Sequence, residues 1–98
     1  MTAYLILNYN VDDSDQYRDY QKAAAPALRI PDECQPIVLD GASESIEGDA
    51  TGAQTVVLRF ESKEKAREIY ESGEYQSIIG MRHTATSQHF AVLVDGLG

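Results

Sequence analysis

The chain has one cysteine, Cys34, no tryptophan, three prolines and only 8 Lys and Arg residues. A single thiol cannot close an internal disulfide, so packing rather than cross-linking must hold this fold. Cys34, His83 and His89 also fall short of the closely spaced Cys/His set that a structural zinc demands. No apolar run approaches the roughly 18 residues of a membrane-spanning helix. The N-terminus lacks a basic stretch followed by a long apolar core, so a cytoplasmic protein is expected. The few cations face 16 Asp and Glu, a formal net charge of −8. Such a surface repels phosphate backbones and anionic headgroups, which argues against nucleic-acid and membrane partners. Glycine-rich phosphate loops, a nucleophile elbow and paired catalytic motifs are missing too. No metal and no cofactor are expected.

What the chain does have is a core in the making. Its 98 residues are 43% hydrophobic and include six Tyr and two Phe, enough for a single domain spanning residues 1–98. Tyr4 to Val11 reads as a strand. Asp12-Asp13-Ser14-Asp15 offers an N-cap and acids for the positive end of a helix. Tyr17, Tyr20, Ala24, Ala27 and Leu28 then recur at helical spacing. Pro26 should loosen the last turns of that helix and Pro31 should end it. Gln35 to Asp40 reads as a strand that Ser43 to Glu47 continues past a bulge at Gly41. Gly48 to Gly52 is a turn, and Thr55 to Phe60 a strand. Ser62 caps a helix with Ala66, Ile69 and Tyr70 inward, and Gly73 is placed as its stop. One further helical piece carries Tyr75, Ile78, Ile79 and Arg82, and His89 to Val94 is the last strand. The order strand, helix, strand, strand, helix, strand specifies a ferredoxin-like α+β domain with an antiparallel sheet.

Helices in this topology cover one face of the sheet. Leu5, Leu7, Tyr9 and Val11 are assigned to the helix side, leaving Tyr4, Ile6, Asn8 and Asn10 on the other. Val56, Leu58 and Phe60 oppose Thr55, Val57 and Arg59 in the same way, and the last strand is apolar on both faces. A sheet apolar on both sides needs cover on both, so a second copy of the chain is expected to supply it.

Two stretches carry a family resemblance: Tyr17 to Ala27, and Val56 through Arg82 with its Leu58-Arg59-Phe60, Ala66-Arg67, Tyr70-Glu71-Ser72 and Glu74-Tyr75-Gln76. With the closing Val94-Asp95-Gly96 they resemble the bacterial family known as domain of unknown function 1330. The resemblance implies a dimeric α/β barrel related in fold to small monooxygenases, haem-degrading enzymes and muconolactone-type isomerases, and it implies no agreed activity. The chain departs from the family pattern at Pro31-Asp32-Glu33-Cys34 and at Asp40, which stands near a position that is often basic.

Arg82-His83 is the most suggestive pair, since an arginine fork holds a carboxylate and a neighbouring histidine titrates near neutrality. The plain alternative is an ion pair of Arg82 with Glu71 or Glu74. Asn8 and Arg59 share the uncovered sheet face and are candidates for a pocket between two copies, with His89 joining them if its strand faces that way. Tyr20 and Tyr70, with Tyr17 and Tyr75, suit a pocket rim because a polar tip ends an apolar ring. Cys34 lacks an adjacent base, and the acids from Asp12 to Asp19 lack the glycine and bidentate glutamate of a calcium loop. Three readings follow: a homodimer binding a small apolar molecule with an acidic or carbonyl group, a cofactor-free monooxygenase or isomerase acting on an aromatic or polyketide-like substrate, and a purely structural or regulatory dimer.

Overall fold

A computed structural model describes residues 1–49 and 51–97. Alternation in Ala3–Val11 builds β1, with Ala3, Leu5, Leu7 and Tyr9 buried and Tyr4, Ile6 and Asn10 partly covered. β1 pairs antiparallel with β3 (Gln54–Phe60) and with β4 (Thr86–Asp95), and β2 (Gln35–Asp40) extends the sheet to the order β2-β3-β1-β4. Register decides which side chains share a face. Leu5 stands between Leu58 and Leu93 on the helix side, and Ile6 between Val57 and Val92 on the other. The fold is the ferredoxin-like α+β arrangement that the alternation predicts.

Four helices cover the first face: α1 (Ser14–Ala27), α2 (Lys63–Tyr70), α3 (Gly73–Gln76) and α4 (Ile79–Ala85). The starts of α1, α2 and α3 are set by side-chain caps, Asp13 accepting from Gln16 N, Ser62 from Lys65 N and Ser72 from Tyr75 N, whereas α4 follows Ile78 with no side-chain cap among the described residues. The inward stripe of α1 is Tyr17, Tyr20, Ala24 and Leu28, and Pro26 falls in its last turn, one residue before the helix ends.

Five local expectations change. Gly73 does not stop α2; that helix closes on Glu71, and Ser72 caps a new turn which Gly73 opens. The single helical piece expected after it is two, α3 and α4. Ser43 to Glu47 forms no strand. Asp40 accepts from Ala42 N and Ser45 donates to Gly48 O, so local side-chain bonds turn the chain away from the sheet. The β2 irregularity sits between Pro36 and Val38 instead of at Gly41. Finally, β4 begins at Thr86 because Gln88 takes φ +53° at a register shift opposite Asn8 and Asn10, which lets Ser87 and Thr86 pair with Asn10 and Val11.

One polar residue on the uncovered face is nevertheless buried. Asn8 donates through Nδ2 to Gly52 O and Thr55 Oγ1, both at 3.0 Å, and accepts from Gly52 N at 2.6 Å. This clamps the end of the β2–β3 loop against β1. A Cβ on Gly52 would lie 2.2 Å from the Tyr9 carbonyl carbon and 2.4 Å from its oxygen, so the clamp closes only on glycine. Gly52→Ala should therefore lower stability by about 2–4 kcal/mol in urea unfolding, combining forced backbone movement with a stranded Asn8 amide. Gly80→Ala, whose Cβ meets nothing within 4 Å in α4, should be neutral or stabilising. Equal effects of the two substitutions would refute the clamp.

Candidate functional site

The short helix α4 turns Arg82 and Ala85 inward, three residues apart on one face, and so drives a guanidinium into the domain. Arg82 is 3% exposed. Arginine is rarely buried without a charged partner, yet among the described residues no carboxylate pairs with it, and the expected ion pair with Glu71 or Glu74 does not form. Neutral groups surround it instead. Nη1 donates to Tyr75 Oη at 3.1 Å, and Nη2 donates to Tyr70 Oη at 3.5 Å and to His83 Nε2 at 3.3 Å. The Tyr9 ring faces the cation, with Cζ 5.6 Å from its centroid, a favourable cation–π position. The buried Nε–H has no acceptor among the described residues.

Tyrosines from the other elements complete the cluster. Tyr17 and Tyr20 lie one turn apart on α1, Tyr75 on α3 and Tyr70 at the end of α2. Tyr9 and Tyr17 share a hydroxyl contact of 2.6 Å, as do Tyr20 and Tyr75. Burial pushes Tyr9, Tyr17, Tyr20 and Tyr75 above the ordinary phenol range, so all four stay protonated at neutral pH and each can donate. Burial also opposes the charge on Arg82, but the Tyr75, Tyr20 and Tyr70 hydroxyls outweigh it and the guanidinium remains a cation. His83 stacks on His89 with ring centroids 4.9 Å apart, both rings exposed at the β4 edge. Partial desolvation on the side that packs against the cluster, then the Arg82 charge, then His89 lower the His83 pKa, favouring the neutral imidazole.

Two clefts reach this cluster. One, of about 220 Å³, lies between α1 and the β2–β3 side of the sheet, walled by Ala24, Leu28, Pro36, Leu39, Val56 and Leu58 and bordered by Tyr9, Tyr17 and Tyr20. Leu39 stays 60% exposed at this end of the sheet, where β2 runs past the helix layer. The other, of about 450 Å³, lies between α2–α3 and β1–β4, and Tyr70 is the residue it shares with the Arg82 cluster.

Of the residues proposed from sequence, Arg82, His83, His89, Tyr20 and Tyr70 gather here. Asn8 and Arg59 do not. Asn8 is engaged by Gly52 and Thr55. Arg59 is exposed on the uncovered face, opposite Tyr4 and Gln35, with Nε donating to Gln35 Oε1 at 3.4 Å. His89 stacks on the α4 side and does not join them. Tyr9, which the β1 alternation places on the helix side with Leu5 and Leu7, also belongs to this cluster. Its polar tip was the signal, since a buried phenol oxygen needs a partner. Cys34 is fully buried and its thiol is pushed up to about 12 by burial, too protonated to act as a nucleophile. Among the described residues no three His, Cys, Asp or Glu side chains gather into a metal-binding group, and no helix is long and apolar enough to cross a membrane.

Fold and site together define a ferredoxin-like α+β domain with an uncompensated arginine buried between its helices and sheet. The chain belongs to the family described as domain of unknown function (DUF1330), which matches residues 2–97. No curated protein matches it in sequence. A protein of unknown function from Rhodopseudomonas palustris has a similar structure, with TM-score 0.79 at 9% identity over 99% of this chain and 83% of that one. A protein of unknown function from Thermobifida fusca, described as dimeric and ferredoxin-like, gives TM-score 0.67 at 15% identity over 98% and 92%. SnoaB, a cofactor-independent oxygenase from Streptomyces nogalater, gives 0.67 at 8% identity over 99% and 94%. At these identities the likeness is one of fold.

The lowered His83 pKa has a defined sign. As pH falls through the ordinary histidine value of 6.5, the unfolded chain takes up this proton before the folded one, so stability declines from there down to the folded-state pKa. An NMR titration of the His83 ring should give a midpoint below 6.5, and His83→Gln should flatten that part of the stability profile. A midpoint at or above 6.5 would contradict the arrangement.

Proposed function

We propose that this protein is a cytoplasmic homodimer that binds a small, mostly apolar molecule bearing one acidic or carbonyl group in the cleft between α1 and the sheet. The observation that carries the reading is the buried Arg82 guanidinium, which among the described residues has no carboxylate partner and an idle Nε–H. Burying such a charge without a counter-charge costs several kcal/mol, so a cation kept in this position is suited to an anion or polarised oxygen that arrives from outside. The apolar walls of the cleft suit the rest of such a molecule. A second copy on the uncovered face is supported by Phe90 and Val92, 50% and 44% exposed beside Ile6 and Val57, and by the dimeric description of the Thermobifida fusca protein.

A second reading, a cofactor-free enzyme of monooxygenase or isomerase type, is favoured by one observation. His83 is neutral and lies beside the same cluster, and a ligand that draws the Arg82 Nη2 contact to itself would free His83 Nε2 as a proton acceptor. The fold shared with SnoaB is consistent with it by analogy alone.

Thermal melts against a panel of apolar carboxylic acids, ketones and phenols test the binding reading. A ligand present at a hundred times its Kd adds about 2.7 kcal/mol of stability, which raises Tm by more than about 10 °C in a domain of this size. Arg82→Met should fold with a melting temperature near that of the unaltered protein, because an apolar side chain replaces an unpaired charge, and should lose the ligand-induced rise. A panel without effect, or an Arg82→Met protein that still responds, would refute the assignment. Sedimentation should show a particle of twice the 10.8 kDa chain mass, and a 10.8 kDa particle at micromolar concentration would end the dimer reading.

A further inference from the structure

The hydroxyl chain beside Arg82 has a direction. A guanidinium can only donate, so Tyr75 Oη must accept at the 3.1 Å contact. The Tyr75 proton then points away from the cation, and the partner on that side is Tyr20 Oη, 2.6 Å off. The head-to-tail order Arg82 to Tyr75 to Tyr20 lets each bond polarise the next. Tyr20 is thereby made an acceptor, and its own proton has no other partner among the hydrogen bonds of the described residues. Tyr75 is 1% exposed and lies behind, whereas Tyr20 borders the α1 cleft. A parallel chain runs beside it. The cation over the Tyr9 ring makes that phenol the better donor, its contact is Tyr17 Oη at 2.6 Å, and Tyr17 borders the same cleft one helical turn from Tyr20.

Building on the ligand-binding reading above, we propose that the Tyr20 hydroxyl, polarised by Arg82 through Tyr75 and flanked by Tyr17, is the donor that seats one ligand oxygen, and that the preferred ligand is a small phenol or enol bound as its anion. The arginine thus acts on the ligand at second hand, through neutral phenols. That suits a phenolate or enolate, whose charge is centred on one oxygen to which Tyr20 and the flanking Tyr17 can both donate, while its carbon frame meets the apolar wall formed by Ala24, Leu28 and Val56. At about 220 Å³ the cleft is smaller than the roughly 300–1,000 Å³ typical of drug-sized ligands, which fits a molecule of one or two rings. Burial holds Tyr17 and Tyr20 above the ordinary phenol pKa, so both remain donors at neutral pH.

The probe is 4-nitrophenol, whose anion is coloured, with 4-nitroanisole as its non-ionising analogue. At a pH equal to the pKa of the free dye, addition of protein should increase the phenolate band, and the bound dye should show a pKa at least one unit below that of the free dye. Tyr20→Phe should weaken phenolate binding at least tenfold and leave nitroanisole binding unchanged. Tyr75→Phe, altered behind the cleft wall, should weaken phenolate binding less and in the same direction, and it carries the test if Tyr20→Phe does not fold. A dye bound in its neutral form, or phenolate affinity unchanged in either variant that folds, would overturn the proposal. If carboxylic acids or ketones still stabilise the protein in an Arg82-dependent way, the cleft reading survives that result and only the role of Tyr20 falls. Absence of binding by every probe would overturn both.

Discussion

The helix layer converges on one desolvated cation. Arg82 leaves water without a counter-ion among the described residues, and the penalty of several kcal/mol is offset by contacts from α2, α3, α4 and the central strand. Tyr75 and Tyr70 accept its protons from α3 and α2, His83 accepts from α4 itself, and the Tyr9 ring of β1 lies against its face. Hydrogen bonds to a charged group contribute about 1.5–3 kcal/mol each, and a desolvated cation–π contact about 2 kcal/mol. Together these match the penalty in scale, so the cation is tolerated without being neutralised. The tyrosine pairs that join α1 to β1 and to α3 extend the same network.

The two faces of the sheet solve different problems. On the helix face the odd positions of β1 and their cross-strand partners make a continuous core with Ile69, Ala66 and Ala85. On the other face Phe90 and Val92 are exposed beside half-buried Ile6 and Val57, and the deeply buried polar side chain Asn8 is consumed in holding Gly52 against β1. Polar groups on that face serve the loop, while the chemistry gathers on the opposite side.

The charge distribution follows the same division. Arg18, Arg29, Lys63 and Lys65 form surface pairs with Asp15, Glu33, Glu68 and Asp95, and such exposed pairs contribute little. The chain as a whole has a formal charge of −8 and an acidic surface, while Arg82 is the charged side chain buried inside among the described residues. A shell of that sign disfavours highly charged anions in solution.

Much of the fold was legible because it rests on local periodicity. The alternation of β1 and β3 assigned their faces, Asp13 and Ser62 marked their helix starts, and the order of elements left one common topology. Arg82, His83, His89, Tyr20 and Tyr70 could be named as candidates because their side chains are chemically conspicuous. Their assembly could not be read, because each is contributed by an element distant in sequence and their proximity is created by packing. The same holds for Ser72 restarting a helix where Gly73 suggested an end, and for the Gln88 bulge that turns His89 towards His83. Sequence alone determined which groups were present and which faces would be buried, since hydrophobic spacing acts over a few residues. Only the tertiary structure decided that Arg82 would meet tyrosines instead of a glutamate, because a side chain's partner depends on how helices and strands settle against one another.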